Sequence, residues 1–269
     1  MLLSFNAAAD FSAFAADENS GSCGVNATYT YDEDTATITV SGKGLIKASS
    51  FEFNKDVERL VINEGITGIG REAFYSCDRL FDISLPSTLL YIGDYAFAYC
   101  TSLPSIEIPE GVTSIRSYTF ESAQSLNNVV LPSTVNVIGD CAFENCSSLK
   151  SITIPASVGK IGADAFADCN KNLVIKSTCN SCAAQYANTN KIKASLTGCK
   201  NKSVTTKATT TKNGKIEKKC TVCGNVVSST VIPKVSSIKL SSVSYTYDGK
   251  AKTPTVTVKD SKGNTNNGL

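Results

Sequence analysis

Phenylalanine recurs at a constant interval of 23 residues through the middle of the chain, at Phe74, Phe97, Phe120, Phe143 and Phe166. Four further apolar columns keep this interval, two of them eight and five residues before each phenylalanine and two on a short segment further upstream. Their members are Ile66, Leu89, Val112, Val135 and Val158; Ile69, Ile92, Ile115, Ile138 and Ile161; Leu60, Ile83, Ile106, Val129 and Ile152; and Ile62, Leu85, Ile108, Leu131 and Ile154. A fixed period of roughly 20–50 residues is the signature of a repeat protein. Because one unit cannot bury its own apolar edge, successive units must stack into a solenoid.

Each unit is expected to hold a short strand, a second extended piece and a helical turn. The strand is indicated by the alternation of apolar and polar residues with a period of two. A proline at position 86, 109, 132 or 155 stops four of these strands, because proline has no N–H group to continue a ladder. The Ala-Phe pair, as in Ala96-Phe97, predicts a helical turn that carries both residues inward. The fold class predicted is a repeat solenoid of short parallel strands and short helical turns, in which each buried phenylalanine contributes about 1.5–3 kcal/mol.

The repeated unit resembles the BspA-like leucine-rich repeats of bacterial surface proteins, whose unit reads roughly LxxIxIPxxVxxIGxxAFxxC. Residues 103–109 and 138–146 match this pattern directly. The resemblance implies a leucine-rich-repeat fold and a role in adhesion or in binding host molecules. Residues 21–42 are similar to the amino-terminal cap of the family, and their alternating aromatic and aliphatic residues suit a β-hairpin over the open end of the stack.

The domain organisation predicted has six parts. These are a partial signal peptide or disordered tail at 1–19, an amino-terminal β-hairpin cap at 20–50, a solenoid of five 23-residue units at 51–177, a carboxy-terminal cap segment at 178–197, a small cysteine-containing β module at 198–235 and an incomplete immunoglobulin-like β module at 236–269. The signal peptide rests on the small-x-small pattern Ala13-Phe14-Ala15, which signal peptidases cut, although no basic residue precedes Lys43. The last module rests on resemblance, because about 30 residues cannot close a sandwich of about 100.

Two places depart from the repeat pattern. The third unit has Arg116 in the glycine column, Thr119 in the alanine column and Ala123 in the cysteine column, so a local distortion is expected while Phe120 keeps the register. After the fifth unit Ser177 replaces an apolar strand residue, and the solenoid should end there. In the segment that follows, residues 183–187 predict a short helix that places Tyr186 over the last turn of the stack.

Composition excludes several kinds of function. The chain has no histidine, which removes Ser-His and Cys-His nucleophile pairs, imidazole bases and histidine-bound metals, and no catalytic residue is nominated. Residues 1–176 hold 11 basic and 21 acidic residues, whereas residues 177–269 hold 15 and 3, so the net charge changes from −10 to +12. The split marks a module boundary. No apolar run of about 18 residues predicts a transmembrane segment.

Four of the eleven cysteines occupy one column of the repeat, three residues after each phenylalanine: Cys77, Cys100, Cys146 and Cys169. A column that accepts Ala123 in the remaining unit is typical of small buried thiols rather than of catalytic or metal-binding ones. Cys141 falls in a variable column and is expected to be exposed.

A second group of cysteines suggests a metal site in the basic third of the chain. Cys220 and Cys223 form a Cys-x-x-Cys-Gly knuckle that can present two thiolates to zinc, and Cys199 could supply a third. Asn201 stands where similar modules carry a histidine, so the fourth ligand would be Cys179 or Cys182. The alternatives are a metal-free hairpin and a disulfide; structural zinc is the one cofactor considered.

Ligand contacts are expected on the outward residues of the strands, because side chains alternate faces along a strand and the aligned apolar columns occupy the inward positions. This surface is mixed and lacks basic clusters, so an extracellular protein or glycan is favoured over nucleic acid. The function predicted is therefore binding by a secreted or cell-surface protein without catalysis, and the alternative is a targeting or spacer segment of a larger surface protein whose enzymatic domain lies outside this chain. The candidate ligand-binding residues are Arg59, Asp82, Ser84, Ser105, Glu107, Asn128, Val130, Ser151 and Thr153.

Overall fold

A computed structural model describes residues 19–209, 211–221, 226–240, 256–260, 262 and 265–266. The signal-peptide prediction falls on residues outside this described part. The chain divides into two units, Met1–Thr197 and Gly198–Leu269. The first unit holds the repeats and is a β-solenoid, which confirms the predicted fold class; one turn of this solenoid is called a coil below.

The amino-terminal cap is an antiparallel meander of β1 (Ser20–Ser22), β2 (Asn26–Asp32) and β3 (Thr37–Ile46). Residues of β3 alternate between buried and half-buried along its first half, as expected for a strand with one face on a core. The cap therefore contributes apolar residues such as Ile38 and Val40 to the same core as the repeats.

The first ladder of the solenoid has one strand per coil, and the middle residue of each strand points inward. It comprises β4 (Arg59–Ile62), β6 (Asp82–Ser84), β8 (Ser105–Glu107), β10 (Asn128–Val130), β12 (Ser151–Thr153) and β14 (Val174–Thr178). Parallel pairing in the 23-residue register joins β4 to β6, β8 to β10 and β12 to β14, with Arg59 opposite Asp82 and Ser105 opposite Asn128. Equivalent residues of successive coils therefore stand side by side.

The second ladder follows the proline of each coil and consists of shorter parallel strands. It comprises β5 (Ile66–Ile69), β7 (Tyr91–Ile92), β9 (Ser114–Ile115), β11 (Val137–Ile138) and β13 (Lys160–Ile161). Pairing runs from β5 to β7 and from β9 through β11 to β13. The isoleucine of each strand lies five residues before the phenylalanine of its coil, so both columns enter one core.

Strand β3 starts both ladders. Its first half pairs with β4 and its second half pairs with β5, in each case in parallel. The bend between the halves falls at Gly42 and Gly44, whose φ angles are +109° and +86°. A Cβ atom at Gly42 would also collide with the backbone oxygen of Asn26, so this bend requires glycine. The cap is thus the template on which the first coil assembles.

The segment around each phenylalanine is a ladder of turns rather than the helical turn that the sequence predicts. The Phe74 N–H donates to the carbonyl of Ala96 in the next coil at 3.0 Å, whereas the Tyr75 N–H bonds back to Glu72 within its own coil at 3.1 Å. In an α-helix every N–H group points along the helix axis to a carbonyl of the same segment. Here alternate N–H groups bond to the neighbouring coil instead. The two positions that flank each phenylalanine by two residues have positive φ angles: Ser49, Phe53, Glu72, Ser76, Tyr95, Tyr99, Tyr118, Ser122, Cys141, Asn145, Asp164 and Asp168.

The phenylalanines form one continuous stack through the core. Neighbouring rings are nearly parallel, with centroids 5.2 to 5.8 Å apart. Tyr29 of the cap closes the stack edge-on at 5.1 Å, and Tyr186 closes the other end edge-on at 5.9 Å, as the sequence predicts for Tyr186. Offset-stacked and edge-to-face pairs each add about 0.5–1.5 kcal/mol beyond the burial of their area.

The stack contains six phenylalanines rather than five, because it begins at Phe51. The Phe51 ring lies 5.2 Å from that of Phe74, and its side chain is buried. Its coil keeps Ile46 and Phe51 in register but has Lys47 and Ser50 where later coils carry glycine and alanine. The count of five units is therefore one too low, because the first coil shares only part of the pattern.

The third unit is distorted locally, as the sequence predicts. The Phe97 and Phe120 centroids are 5.8 Å apart, the widest spacing in the phenylalanine stack. Glycines in this column lie against the previous coil, where a Cβ at Gly93 would lie 2.6 Å from the Arg71 nitrogen. A residue larger than glycine at Arg116 pushes the coils apart, and the buried hydroxyl of Thr119 bonds to the Arg116 carbonyl at 2.9 Å.

The first unit ends in a helix and one more strand. Helix α1 (Cys182–Thr189) begins after Ser181, whose hydroxyl accepts a hydrogen bond from the Ala184 N–H at 3.1 Å. Strand β15 (Lys193–Thr197) then pairs in parallel with β14, so the sheet extends one strand past the repeats. At the position where the apolar pattern stops, the Ser177 hydroxyl bonds to the Ile154 carbonyl at 2.8 Å.

The second unit contains two small antiparallel sheets. The first has the order β16 (Asn201–Thr206), β17 (Gly214–Cys220) and β18 (Val226–Ile232). The second has the order β19 (Val235–Leu240), β20 (Val256–Asp260) and β21 (Thr265–Asn266). Three strands do not define an immunoglobulin-like fold, and that resemblance stays a prediction.

Phe97→Ala is expected to lower the free energy of unfolding by about 3–5 kcal/mol, because it removes a fully buried ring and leaves a cavity. Denaturant titration of the purified protein measures the change. The matched control is Phe53→Ala, since the Phe53 side chain is 55% exposed and its loss should fall within about 1 kcal/mol.

Equal losses for Phe97→Ala and Phe53→Ala would contradict the buried stack. Phe166→Ala would lower the free energy of unfolding less than Phe97→Ala does if the carboxy-terminal end of the solenoid could relax around the cavity. In the structure Phe166 is only 3% exposed and Tyr186 covers it, so a loss close to that of Phe97→Ala is expected.

Candidate binding face and cysteine sites

The nine candidate ligand-binding residues lie on the outward side of the first ladder, which is called the strand face below. Eight of them are exposed and Ser151 is half-buried. The residue between each outward pair, such as Ile106 between Ser105 and Glu107, points into the core. The parallel register places the outward residues of five coils in two adjacent columns. The strand face is therefore continuous from Arg59 to Thr153.

Charges on the strand face are few and partly matched within it. Arg59 and Asp82 approach to 3.7 Å, with 52% and 60% of their side chains exposed. Such an exposed pair contributes little to stability, about 0–1 kcal/mol. The Arg59 guanidinium also lies 5.5 Å from the centre of the Phe81 ring. Both groups therefore stay accessible to a ligand.

The amino-terminal end of the strand face borders an open depression of about 550 Å³. Its lining includes Arg59, Asp82 and Ser84 together with Thr35, Thr37 and Phe81, which the sequence does not nominate. These three were missed because Thr35 and Thr37 belong to the cap and Phe81 precedes its strand. Phe81 is 39% exposed, and an aromatic residue at a variable position next to an outward column is the signal that could have found it.

Further along, the strand face presents hydroxyl, amide and carboxylate groups with one exposed apolar side chain, Val130. Ser105 and Asn128 stand opposite each other, and so do Glu107 and Val130. Groups of this kind make hydrogen bonds with peptide or sugar groups.

Three of the four repeat cysteines, Cys77, Cys100 and Cys146, are buried in a column as the sequence predicts, whereas Cys169 is half-buried. Each thiol donates a hydrogen bond to the carbonyl of a phenylalanine 26 residues earlier, as from Cys100 Sγ to Phe74 O at 3.2 Å. The same contact recurs at 3.0 to 3.2 Å for Cys77, Cys146 and Cys169. Burial raises the pKa of the Cys77 thiol to about 12 and raises that of Cys100 well above its usual range.

Cys141 is half-buried rather than exposed. Its burial, helped by a hydrogen bond with Glu144, raises the pKa of the thiol to about 11. A side-chain hydrogen bond joins Cys141 to Tyr118, which occupies the same column of the repeat in the preceding coil. The sequence shows the shared column but not how far a tyrosine reaches across it.

In the second unit, two of the three nominated zinc ligands come together. Cys220 ends β17 and Cys199 lies just before β16, and the antiparallel pairing brings their sulfur atoms within 4.8 Å of one another. Two thiolates on one zinc ion lie about 3.8 Å apart, so a pair within this limit is compatible with the ion. Cys223 falls outside the described residues. Cys179 and Cys182 belong to the first unit and are half-buried.

The sheet that carries Cys199 and Cys220 has a small core. Among the described residues of β16, β17 and β18, the buried ones are Gly214, Glu217 and Cys220, and Val204, Ile216 and Val231 are exposed. The Glu217 carboxylate is held between Lys215 at 2.7 Å and Lys219 at 3.1 Å, and these lysines keep its pKa below the usual range. A sheet this small generally needs a metal or a disulfide to be stable.

Residues 44–173 match the family described as BspA type leucine rich repeat region, in six copies. Among solved structures, a leucine rich cell surface protein from Faecalibacterium prausnitzii is 27% identical over 59% of this chain and 54% of that chain, with a TM-score of 0.41. A leucine-rich repeat protein from Bacteroides ovatus is 28% identical over 56% and 45%, with a TM-score of 0.40. The pneumococcal vaccine antigen PcpA is 20% identical over 57% and 49%, with a TM-score of 0.44.

The chain thus spans about half the length of these three solved proteins. Comparison with curated proteins gives no match. Within the described part of the chain, no helix has the length and apolar character needed to cross a membrane. The six coils from Phe51 to Phe166 agree in number with the six copies of the family model that residues 44–173 match.

The repeat thiols are expected to resist alkylation in the folded protein. The thiolate is the reactive form, and a pKa of about 12 keeps Cys77 protonated at about pH 8. After treatment with iodoacetamide, peptide mass spectrometry should show Cys77 and Cys100 unmodified in native protein and fully modified in guanidinium. Modification of Cys77 at equal rates in both states would contradict the buried column.

Zinc binding by Cys199, Cys220 and Cys223 stays a prediction, and weak affinity is expected because the ligand set lacks the histidine. Protein purified without chelator should retain at least about a tenth of an equivalent of zinc by elemental analysis, and Cys220→Ser should lose it. Cys141→Ser is the matched control, since it removes a cysteine from the repeats.

A zinc content that is unchanged in Cys220→Ser would remove the proposal. A mass increase of two hydrogen atoms on reduction of the metal-free protein would favour the disulfide instead.

Proposed function

We propose that this chain belongs to an exported cell-surface protein that binds an extracellular protein or glycan through the strand face. The observation that carries the proposal is the contrast between the two sides of the first ladder. Inward positions hold aliphatic residues in every coil, whereas the outward positions hold Arg, Asp, Ser, Glu, Asn, Val and Thr in exposed, adjacent columns. Packing explains the uniform side, and ligand recognition explains a varied side that is presented as one surface.

Three features support binding over catalysis. Leucine-rich-repeat solenoids are extended scaffolds whose surface comes from stacked repeats. The chain has no histidine, and the nominated residues on the strand face include no cysteine. Localisation at the cell surface is supported by the resemblance to BspA-type repeats and by the cleavable pattern at Ala13-Phe14-Ala15.

The mixed character of the strand face supports a protein or a glycan as the ligand. A nucleic acid would need clustered cations to neutralise its phosphates, whereas the nominated residues of the strand face include one cation, Arg59, and two carboxylates, Asp82 and Glu107. The depression next to Arg59 and Phe81 combines a cation, a carboxylate and an exposed ring, the groups that anchor many interfaces.

Changing Asp82, Glu107, Asn128 and Thr153 together to Lys is expected to weaken capture of the chain by immobilised mucin or extracellular matrix protein by at least about tenfold. Four exposed positions are replaced, so folding should be retained, and circular dichroism with a thermal melt checks it. Binding is measured by surface plasmon resonance at physiological salt.

The matched control changes Glu110, Thr113, Ser133 and Asn136 to Lys. These exposed residues belong to the coils of Glu107 and Asn128 and add comparable charge away from the strand face. Equal capture by the two folded variants would place the binding site elsewhere. Loss of capture in the strand-face variant alone would support binding through the strand face. It would argue against the alternative that the chain is a spacer without a ligand.

A further inference from the structure

A second surface of the solenoid carries a run of aromatic side chains that the repeat core does not use. It consists of Phe53, Tyr75, Tyr95, Tyr99 and Tyr118 and is called the tyrosine ridge below. Ring contacts connect its members along the coils, from Phe53–Tyr75 at 5.3 Å through Tyr75–Tyr99 at 5.4 Å to the stacked pair Tyr95–Tyr118 at 4.5 Å. Phe53 is 55% exposed and Tyr99 is 38% exposed.

Folding does not require aromatic residues at these positions. Phe53, Tyr95, Tyr99 and Tyr118 have φ angles between +58° and +61°, a region that bulky residues rarely adopt. In the same two columns of the repeat, other coils use Asn145, Asp164 and Asp168, which accept this conformation more readily. The aromatic residues of the ridge therefore hold a slightly strained backbone conformation, and burial of their side chains does not offset that strain. Strain of this kind often marks a functional surface.

The ring faces of the ridge are largely occupied, so it presents edges and hydroxyl groups. The Arg71 guanidinium lies 5.3 Å from the centre of the Tyr95 ring, and Tyr118 stacks on that ring with an interplanar angle of 2°. Because Arg71 precedes Tyr95 by one coil and Tyr118 follows it by one coil, both faces of the Tyr95 ring are covered. A sugar ring that stacks on an aromatic face finds none free at Tyr95, which favours a protein partner.

The charges around the ridge are unbalanced. Its two cations are already matched, Arg71 with Glu72 at 2.9 Å and Arg116 with Asp94 at 3.3 Å. Glu121 accepts a hydrogen bond from the Tyr99 hydroxyl at 3.4 Å and lies beside Glu144 of the next coil. Among the described residues, no lysine or arginine forms an ion pair with Glu121 or Glu144.

Like charges in adjacent coils repel. Partial burial and the neighbouring Glu144 raise the pKa of Glu121. A cation placed between the two carboxylates would relieve this repulsion, and the phenol oxygens of Tyr95, Tyr99 and Tyr118 could accept further hydrogen bonds from it. Tyrosine is also the residue type, with arginine and tryptophan, that dominates protein interfaces.

We propose that the tyrosine ridge, with Glu121 and Glu144, is a docking surface for a protein segment that carries exposed lysine or arginine side chains. The segment lays its aliphatic stems along the ring edges and places its cations between the two glutamates. The acidic excess of residues 1–176 would speed the encounter with such a segment. This proposal concerns a different surface from the strand face and does not depend on it.

The test uses the full chain and synthetic peptides as probes. Fluorescence anisotropy at about 0.15 M salt, where long-range attraction is screened, compares a twelve-residue peptide of alternating lysine and serine with its glutamate–serine counterpart. Chitohexaose is the glycan probe and is tested as a competitor. The lysine peptide should bind, and neither the glutamate peptide nor the sugar should bind or compete.

Two sets of variants separate the ridge from general electrostatics. Glu121→Gln with Glu144→Gln should weaken the lysine peptide by about tenfold, whereas Asp82→Asn with Glu107→Gln, which removes the same charge from the strand face, should change it less than about twofold. Tyr99→Ala changes no charge and should weaken binding by about fivefold or more, against no change for the exposed strand-face control Val130→Ala. The near-isosteric Tyr99→Phe retains the fold if Tyr99→Ala does not, and should show a smaller loss.

Equal losses in the two carboxylate pairs, or full affinity in both Tyr99 variants, would overturn the proposal in favour of non-specific attraction. Preferential binding of chitohexaose would overturn the class of partner. Ridge variants that lose the lysine peptide but still bind mucin or matrix protein would leave the strand-face proposal unaffected. The two proposals can therefore fail separately.

Discussion

The vertical alignment of one phenylalanine per coil is the constraint on which the rest of the solenoid depends. Parallel strands lie about 4.8 Å apart, so a ring carried on every coil must stack on the next ring at nearly that spacing. The observed centroid distances of 5.2 to 5.8 Å satisfy this with a slight offset. A coil of 22 or 24 residues would break the ring stack, the thiol–carbonyl contacts and both ladders at once. This shared dependence explains why the interval of 23 residues is kept from Phe51 to Phe166 although three columns change in the coil of Phe120.

The core columns must keep the same residue types because they stack on one another, whereas the outward columns can vary from coil to coil. The outward residues form two surfaces of different chemistry, the strand face and the tyrosine ridge. The strand face is polar, flat and made of side chains that stand straight out from a ladder. The tyrosine ridge is aromatic, and its backbone is strained. Its residues lie one or two positions from the core phenylalanines in the sequence. A polar ladder suits many hydrogen bonds of modest strength, whereas an aromatic cluster beside unpaired carboxylates suits a few strong anchors.

The second unit follows a different principle, since its sheets are too small for burial alone to hold them. The first of its two sheets buries little among the described residues, and Lys202 faces Lys219 across β16 and β17. Like charges at directly opposed positions destabilise a sheet. A cross-link through Cys199 and Cys220, by zinc or by a disulfide, would compensate for both weaknesses.

The sequence by itself determined the solenoid, because a spacing that repeats Phe, Ile, Gly and Cys together leaves stacking as the way to bury them. It also determined the inward thiols and the place of Tyr186, since each follows from its column. The tertiary structure decided those features that depend on hydrogen bonds and contacts between coils. Whether the Phe74 N–H bonds within its own coil or to Ala96 is invisible in a local window, so a ladder of turns looked like a helical turn. The first coil at Phe51, the contact of Tyr118 with Tyr95 and Cys141, and the approach of Cys199 to Cys220 are decided in the same way. Each joins residues about 20 positions apart or more, and the chain between them carries no local signal of where they meet.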